Sequence, residues 1–330
     1  MRIIIHIGST KTGSSALQRF MYQNRFALSD SGIVYPEVGI SNDAHHVLAA
    51  LFHQNAYNMH KKEIDEREHD VVKNEYAKAL SDIIKANPEK TMILSSEYLW
   101  NTHHKKEFFD FLNNCGATDI SILCYLREVN DWLQSQYNQG VKNGRKLSFP
   151  QWFDNLKNEA NPTFDYKYNL QEWEKVGVAK IEARVYSKNT LTEGLFADFL
   201  SSVNVDEAGF DLNKEGIVNG SPDTGSIDVI RILNGFTIPK SEKIALRQHL
   251  MNISNKRTLH EKLQIMDQET HHYIKENYRE NIEFVERNYV VHEHHGEKLY
   301  EEIYEFRNAD EKIEDITRAF LRIIIGILRT

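Results

Sequence analysis

The stretch Ile3-Ile4-Ile5-His6-Ile7-Gly8-Ser9-Thr10-Lys11-Thr12-Gly13-Ser14-Ser15-Ala16-Leu17 joins an apolar run, a loop with two glycines and the start of a helical pattern. A short apolar run bounded by a turn reads as a strand covered on both faces. Strand, glycine-containing loop and helix together point several backbone N–H groups at one anion. Gly13 permits a positive φ or a close backbone approach. Ser14 and Ser15 can cap the helix and offer hydroxyl donors. Lys11 adds a mobile positive charge. Gly8 and Gly13 have the spacing of the nucleotide-triphosphate loop G-x-x-x-x-G-K-[ST], but Ser14 stands where its lysine would be, and the lysine falls two residues before Gly13. An ordinary turn with a helix cap is the bland reading of the same residues.

Further along the chain, apolar runs predict strands at Arg2–Ile7, Thr91–Ser95, Asp119–Leu126 and Lys180–Tyr186. Helical patterns follow at Ser14–Ala27, Lys105–Asn114, Asn130–Asn143 and Asn189–Val203. This alternation implies βαβ units, hence an α/β fold: a three-layer parallel sheet with a phosphate-binding loop after the first strand. From about Ser226 helical patterns dominate. Ile313, Ile316, Phe320, Ile323 and Ile327 recur three or four apart, the stripe of a docked helix that also allows a homodimer contact or a membrane-surface helix. The expected layout is an α/β core over residues 1–235 and a helical C-terminal extension over 236–330.

Bulk composition narrows the class. The 330 residues carry 40 Lys+Arg against 48 Asp+Glu, a net charge of −8, which argues against a general nucleic-acid binder. A small anionic ligand stays open, because helix N-termini bind phosphate without net positive charge. Cys115 and Cys124 form no C-x-x-C pair and read as two buried thiols in a reducing compartment. With no signal-peptide pattern and no apolar run of about 18 residues, the expectation is a cytoplasmic protein without a membrane span.

A second strand-to-helix junction lies at Cys124-Tyr125-Leu126-Arg127-Glu128-Val129-Asn130-Asp131-Trp132-Leu133-Gln134-Ser135. Arg127 ends the strand and Ser135 follows eight residues later on the helix. A planar guanidinium fork fits a phosphate, and a serine hydroxyl can complete the site. Lys11-x-Gly13-Ser14-Ser15 after the first strand, with Arg127 and Ser135 after a later one, resembles the PAPS-dependent sulfotransferase superfamily (PAPS, 3′-phosphoadenosine 5′-phosphosulfate), in particular its bacterial members. Many of these have proline before the lysine, where this chain has Thr10. Tyr186 with the helix Phe196-Ala197-Asp198-Phe199-Leu200, and Val218-Asn219-Gly220-Ser221-Pro222 before Ile230-Arg231-Ile232-Leu233-Asn234, extend the likeness over residues 2–235. The resemblance implies that Lys11, Thr12, Gly13, Ser14 and Ser15 hold the 5′-phosphosulfate, that Arg127 and Ser135 hold the 3′-phosphate, and that Tyr186 lies near the adenine. The product would be 3′,5′-ADP.

Sulfuryl transfer asks for a general base beside the acceptor and for cationic or N–H donors beside the leaving oxygen; no metal is required in principle. Lys11 suits the second role. Glu97, at the end of the strand Thr91–Ser95, stands where cytosolic sulfotransferases place a catalytic histidine, and several relatives use Glu. It could equally cap the next helix or pair with an arginine. His45 and His46, after Gly32-Ile33-Val34-Tyr35-Pro36, are the second candidates, and neighbours on one helix point about 100° apart, so at most one should face the cleft. His103-His104, His271-His272 and His292-Glu293-His294-His295 lack metal-ligand spacing and read as exposed polar positions. The favoured acceptor is a carbohydrate of a surface polysaccharide or glycolipid. Two other functions stay open: a kinase-like phosphotransferase with a displaced lysine, and a non-catalytic nucleotide- or glycan-binding protein.

Overall fold

In the first strand, β1 (Arg2–His6), every residue after Arg2 is buried, the pattern of a strand covered on both faces. The structure, a computed structural model, describes residues 1–64, 69–159, 163–187, 194–212, 224–237, 239–255, 265–294, 296–303, 306, 312–313, 316–317 and 319–320. In chain order β1 is followed by α1 (Ser14–Gln23), α2 (Arg25–Asp30), β2 (Ile33–Val34), α3 (His46–Ala50), α4 (Gln54–Met59), α5 (Lys61–Ile64) and α6 (His69–Ala86). Next come β3 (Thr91–Ser95), a 3-10 turn at Glu97–Leu99, α7 (Lys105–Asn114), β4 (Asp119–Leu126), α8 (Val129–Lys142), α9 (Phe149–Lys157) and α10 (Tyr166–Lys175). The chain continues with β5 (Lys180–Val185), α11 (Leu195–Ser202), α12 (Thr224–Gly235), α13 (Lys240–Asn255), α14 (Gln268–Asn288) and a 3-10 turn at His292–His294.

The protein is therefore α/β. Its five-stranded sheet has the order β2-β3-β1-β4-β5, and every pairing is parallel. The strands at Thr91–Ser95 and Asp119–Leu126 have the bounds that their apolar runs mark, and the first and last end one residue earlier than expected. The single helix expected over Ser14–Ala27 is instead α1 and α2. They part at Asn24, whose side-chain amide and backbone N–H both donate to the Phe20 carbonyl, a local bond that competes with helix continuation. Helices do dominate after residue 226, but Val290 adds an isolated parallel bridge to Ala183. Val218–Pro222, Asn189 and, in the C-terminal stripe, Ile323 and Ile327 lie outside the described residues, whereas Ile313, Ile316 and Phe320 are helical.

The chain divides into two units, and not at residue 235. The first comprises residues 1–127, 165–216 and 281–299; the second comprises 128–164, 217–280 and 300–330. The late return has a hydrogen-bonding cause. Ala183 N–H donates to the Tyr289 carbonyl and Val291 N–H donates to the Ala183 carbonyl, so residues 289–291 pair along the outer edge of β5. In the first unit, Ile4, Ile93, Leu123 and Tyr125 on one sheet face pack with Leu17, Phe20 and Met21 of α1 and Phe196, Phe199 and Leu200 of α11. Ile3, Ile5, Met92, Leu94 and Ile122 alternate to the opposite face and are equally buried.

In the second unit, the described residues belong mostly to helices tied by buried amides. Gln134 Oε1 accepts from the Ile265 and Met266 N–H groups, and Asn234 Nδ2 donates to the Val141 and Arg145 carbonyls. Glu128 caps α8 by accepting from the Asn130 and Asp131 N–H groups, and it also accepts from Glu301 N–H; burial pushes its carboxyl up to about 7.

Candidate functional site

Chain order places β1 between β3 and β4: the chain leaves β1 for β2 and β3 on one side, then crosses to β4 on the other. Ligands of open α/β sheets bind outside the carboxyl ends of strands where the order reverses in this way. The loop after β1 and the turn after β3 both lie at that end.

The first loop closes on one carbonyl. Thr12 Oγ1 donates to the Ser9 carbonyl at 2.6 Å and Ser14 Oγ donates to the same oxygen at 2.9 Å. Ser9 N–H in turn donates to the Tyr125 carbonyl, and Tyr125 N–H to the Gly8 carbonyl, so β4 anchors the loop. The Thr12 and Ser14 hydroxyls thus shape the loop itself. The residue at the start of α1 is Gly13, with φ 78°, and no side chain caps the helix, contrary to the cap expected from Ser14 and Ser15; Ser15 is exposed. Gly13 is needed for space as well: a Cβ there would lie 2.4 Å from Leu195 Cδ2 and 3.2 Å from Tyr186 Cε2. Tyr186 therefore covers the loop. Among the described residues, the N–H groups of Lys11, Thr12 and Gly13 have no acceptor, and the first N–H groups of α1 have none within the helix. Several unpaired N–H groups at one helix start, with a cation among them, have the means to hold an anion.

Lys11 itself takes a left-handed backbone conformation, φ 67°. Burial lowers its ammonium pKa, the Glu97 carboxylate raises it and the Arg127 guanidinium lowers it again, with a net shift downward. Glu97 and Arg127 are thus both close enough to act on Lys11.

Glu97 follows β3, in the 3-10 turn. Ser96, not Glu97, caps that turn, its Oγ accepting from Tyr98 N–H. Two side chains address the same Glu97 oxygen, Oε2: Gln18 Nε2 from α1 at 3.3 Å and His46 Nε2 from α3 at 3.5 Å. His46 Nδ1 is bonded to Ser96 Oγ at 2.9 Å, and its ring lies 4.7 Å from that of Tyr98. Burial lowers the His46 pKa, opposed by Glu97 and reinforced by His60. Gly8 touches the same group, since a Cβ on it would be 3.4 Å from Glu97 Cγ.

His45 is set apart from this cluster. Its Nδ1 accepts from Ser95 N–H at 3.0 Å and its Nε2 donates to the Pro36 carbonyl at 2.9 Å, so both ring nitrogens serve the backbone. The ring is neutral, burial having pushed its pKa down to about 3. Of the histidine pair, only His46 meets Glu97.

Lys11, Thr12, Gly13, Ser14, Ser15, His46, Glu97, Arg127 and Tyr186 all belong to the first unit, and Ser135 lies on α8 in the second. Arg127 ends β4, and its carbonyl accepts from Tyr166 OH at 2.7 Å. Gln18 and Ser96 escape the sequence reading. The available signal is a polar residue, Gln18, on the buried stripe of α1 between Leu17 and Met21.

Two of the histidines read as exposed are buried. His294 accepts from Val185 N–H through Nδ1 and is bonded to Asp198 Oδ1 through Nε2. Asp198 also accepts from Tyr125 OH and, through both oxygens, from Arg184. Burial raises its carboxyl, but these bonds from His294, Arg184 and Tyr125 bring it down to about 2. His271 is bonded to Asn130, Tyr300 and Glu302. In both cases polar partners offset the cost of burying the imidazole. Among the described residues, no cluster of three or more His, Cys, Asp or Glu could hold a metal ion, and no helix is long and apolar enough to cross a membrane.

No family profile matches this chain. Over 119 residues, 35% of the chain, it is 33% identical to an uncharacterized protein of Archaeoglobus fulgidus, and it spans 30% of that relative's length. It is also similar to a chain from the structural characterization of the PezAT chromosomal toxin-antitoxin system of the human pathogen Streptococcus pneumoniae. The identity is 11%, 76% of this chain and 86% of that one are covered, and the TM-score is 0.31, too low to carry an inference.

Proposed function

We propose that this chain is a PAPS-dependent sulfotransferase that moves a sulfuryl group to a hydroxyl or amine of an acceptor, a carbohydrate being the favoured class. One observation carries the reading. The N–H groups of Lys11, Thr12 and Gly13, which have no acceptor among the described residues, stand on the same loop as a lysine ammonium on which the Glu97 and Arg127 charges act. That set fits an anionic donor, with a carboxylate beside it to take a proton.

In this reading the loop N–H groups bind the 5′-phosphosulfate, and Arg127 binds the 3′-phosphate. Glu97 accepts the proton of the attacking acceptor oxygen as that oxygen bonds to sulfur. Lys11 stabilises the phosphate oxygen that receives the electron pair of the breaking S–O bond, an interaction strongest in the transition state. His46 orients Glu97 and lines the acceptor side with Tyr98.

Calorimetric titration with 3′,5′-ADP, 5′-AMP and Mg-ATP tests the nucleotide class. A site built to pair a second phosphate loses much affinity when that phosphate is missing. Wild-type protein should prefer 3′,5′-ADP, and Arg127→Ala should erase most of the preference. Equal binding of 3′,5′-ADP and 5′-AMP by the wild type removes the sulfotransferase reading, and a preference for Mg-ATP replaces it with a phosphotransferase. Turnover of labelled PAPS against a panel of acceptors separates an enzyme from a binding protein and identifies the acceptor class.

A further inference from the structure

Gln18 is 1% exposed, on the face of α1 that packs against the sheet. Its amide nitrogen has two N–H groups, and each has a definite acceptor. One is Ser95 Oγ at 3.2 Å, the other Glu97 Oε2 at 3.3 Å. Ser95 is itself held, because its hydroxyl meets His6 Nδ1 at 2.7 Å and both residues are fully buried. His6 ends β1 and Ser95 ends β3, and the two are direct partners in the sheet register. The amide is thus braced by the buried ends of two paired strands and extends one bond to a carboxylate that is partly exposed.

The bond falls on one oxygen only. Gln18 and His46 both reach Oε2, and among the described residues Oε1 has no hydrogen-bond partner. A carboxylate gripped by one oxygen keeps the other aimed in a fixed direction, which is what a general base requires.

We propose that Gln18, braced by Ser95 and His6, is a positioning residue that holds Glu97 by Oε2 and leaves Oε1 to take the acceptor proton. The role rests on the sulfotransferase reading; the grip on Glu97 does not. The titratable and charged groups facing Glu97 are His46 from α3, Lys11 from the loop after β1 and Tyr35 after β2. All three remain in the variants below.

The test compares wild type, Gln18→Leu and Gln18→Glu in the full-length chain. Three quantities are measured: 3′,5′-ADP affinity by calorimetry, the pH profile of kcat with saturating acceptor, and the carboxyl titration of Glu97 by carbon-13 NMR. Gln18→Leu removes a donor to the charged carboxylate, so the acid limb and the NMR midpoint should both move to higher pH, with kcat down roughly 10- to 100-fold. Gln18→Glu replaces the donor by a like charge and should move both further in the same direction. Nucleotide affinity should stay within about threefold in each, because Gln18 does not belong to the anion loop. Unchanged midpoints in both variants overturn the proposal, as does a kcat loss that only parallels lost nucleotide affinity. Wild-type protein that neither binds 3′,5′-ADP nor consumes PAPS sinks the sulfotransferase reading and with it the catalytic role of Oε1, while the NMR midpoints still decide whether Gln18 grips Glu97. If Gln18→Leu does not fold, Gln18→Glu alone carries the comparison, being closer in size and polarity.

Discussion

Lys11 shows what a single residue can be made to do by its setting. A non-glycine residue at φ 67° is held there by its surroundings, a strain of order 1–3 kcal/mol that clusters at working sites. If the chain is the proposed sulfotransferase, Lys11→Ala should cut turnover by roughly 10²–10³ while changing 3′,5′-ADP affinity far less, since in that reading the lost interaction is with the developing charge. Single-turnover kinetics beside calorimetry reads the two effects apart, and near-normal activity would mean that Lys11 does not face the leaving group. Glu97 gives the companion case. Gln keeps its size but cannot accept a proton, so Glu97→Gln should bind nucleotide normally and lose roughly 10²–10⁴ in kcat at saturating acceptor. If His46→Ala is instead the nearly dead variant and Glu97→Gln stays active, the imidazole is the base. His45→Ala belongs to another class: it leaves Ser95 N–H and the Pro36 carbonyl unpaired, so its effect should appear in stability before chemistry.

At the scale of elements, the loop, α1 and α11 act as one piece through Gly13. A methyl group there meets Leu195 Cδ2 at 2.4 Å, and the backbone stays at φ 78°. The leucine tip can turn aside, but the positive φ remains, so Gly13→Ala should destabilise by about 1–3 kcal/mol. The same change pushes Tyr186 from the loop and should weaken 3′,5′-ADP binding. Urea midpoints and calorimetry on one preparation check both, and a variant as stable as wild type would show that the positive φ at Gly13 carries no strain for alanine.

For the molecule as a whole, buried neutral histidines set the response to acid. Burial lowers His6 to about 4 and His45 to about 3 from an ordinary 6.5. Their folded pKa values lie below the unfolded one, so the native state resists a proton that the unfolded chain accepts. The stabilisation is complete above pH 6.5 and is lost as pH falls towards 4 and then 3. With each group contributing a slope of about 1.4 kcal/mol per pH unit, the two histidines together lower stability by up to ~2.7 kcal/mol per unit near pH 5, partly opposed by Glu128, whose raised pKa of about 7 makes the native state the better proton binder at that carboxyl. Chemical denaturation from pH 7.5 to 4.5 measures the slope. His6→Asn should reduce it by up to about 1.4 kcal/mol per unit, and an unchanged slope would place the titration elsewhere.

The order of apolar runs and helical stripes was enough to read an α/β chain with strands at Thr91–Ser95 and Asp119–Leu126, because burial on both faces of a parallel strand demands continuous apolar residues. The spacing of Gly8, Lys11 and Gly13 likewise marked the loop after β1, because a backbone that must adopt positive φ leaves a local signature in glycine. Only the tertiary structure separated His46 from His45, since adjacent imidazoles are alike in sequence and differ in what the fold brings to their nitrogens. It alone brought Gln18 to Glu97, 79 positions away, through a bond whose partners share no local pattern. It also returned residues 281–299 to the sheet unit, and no periodicity announces that. Conformation is dictated by neighbours along the chain, whereas the partner of a buried polar group is chosen by which strands and helices pack side by side.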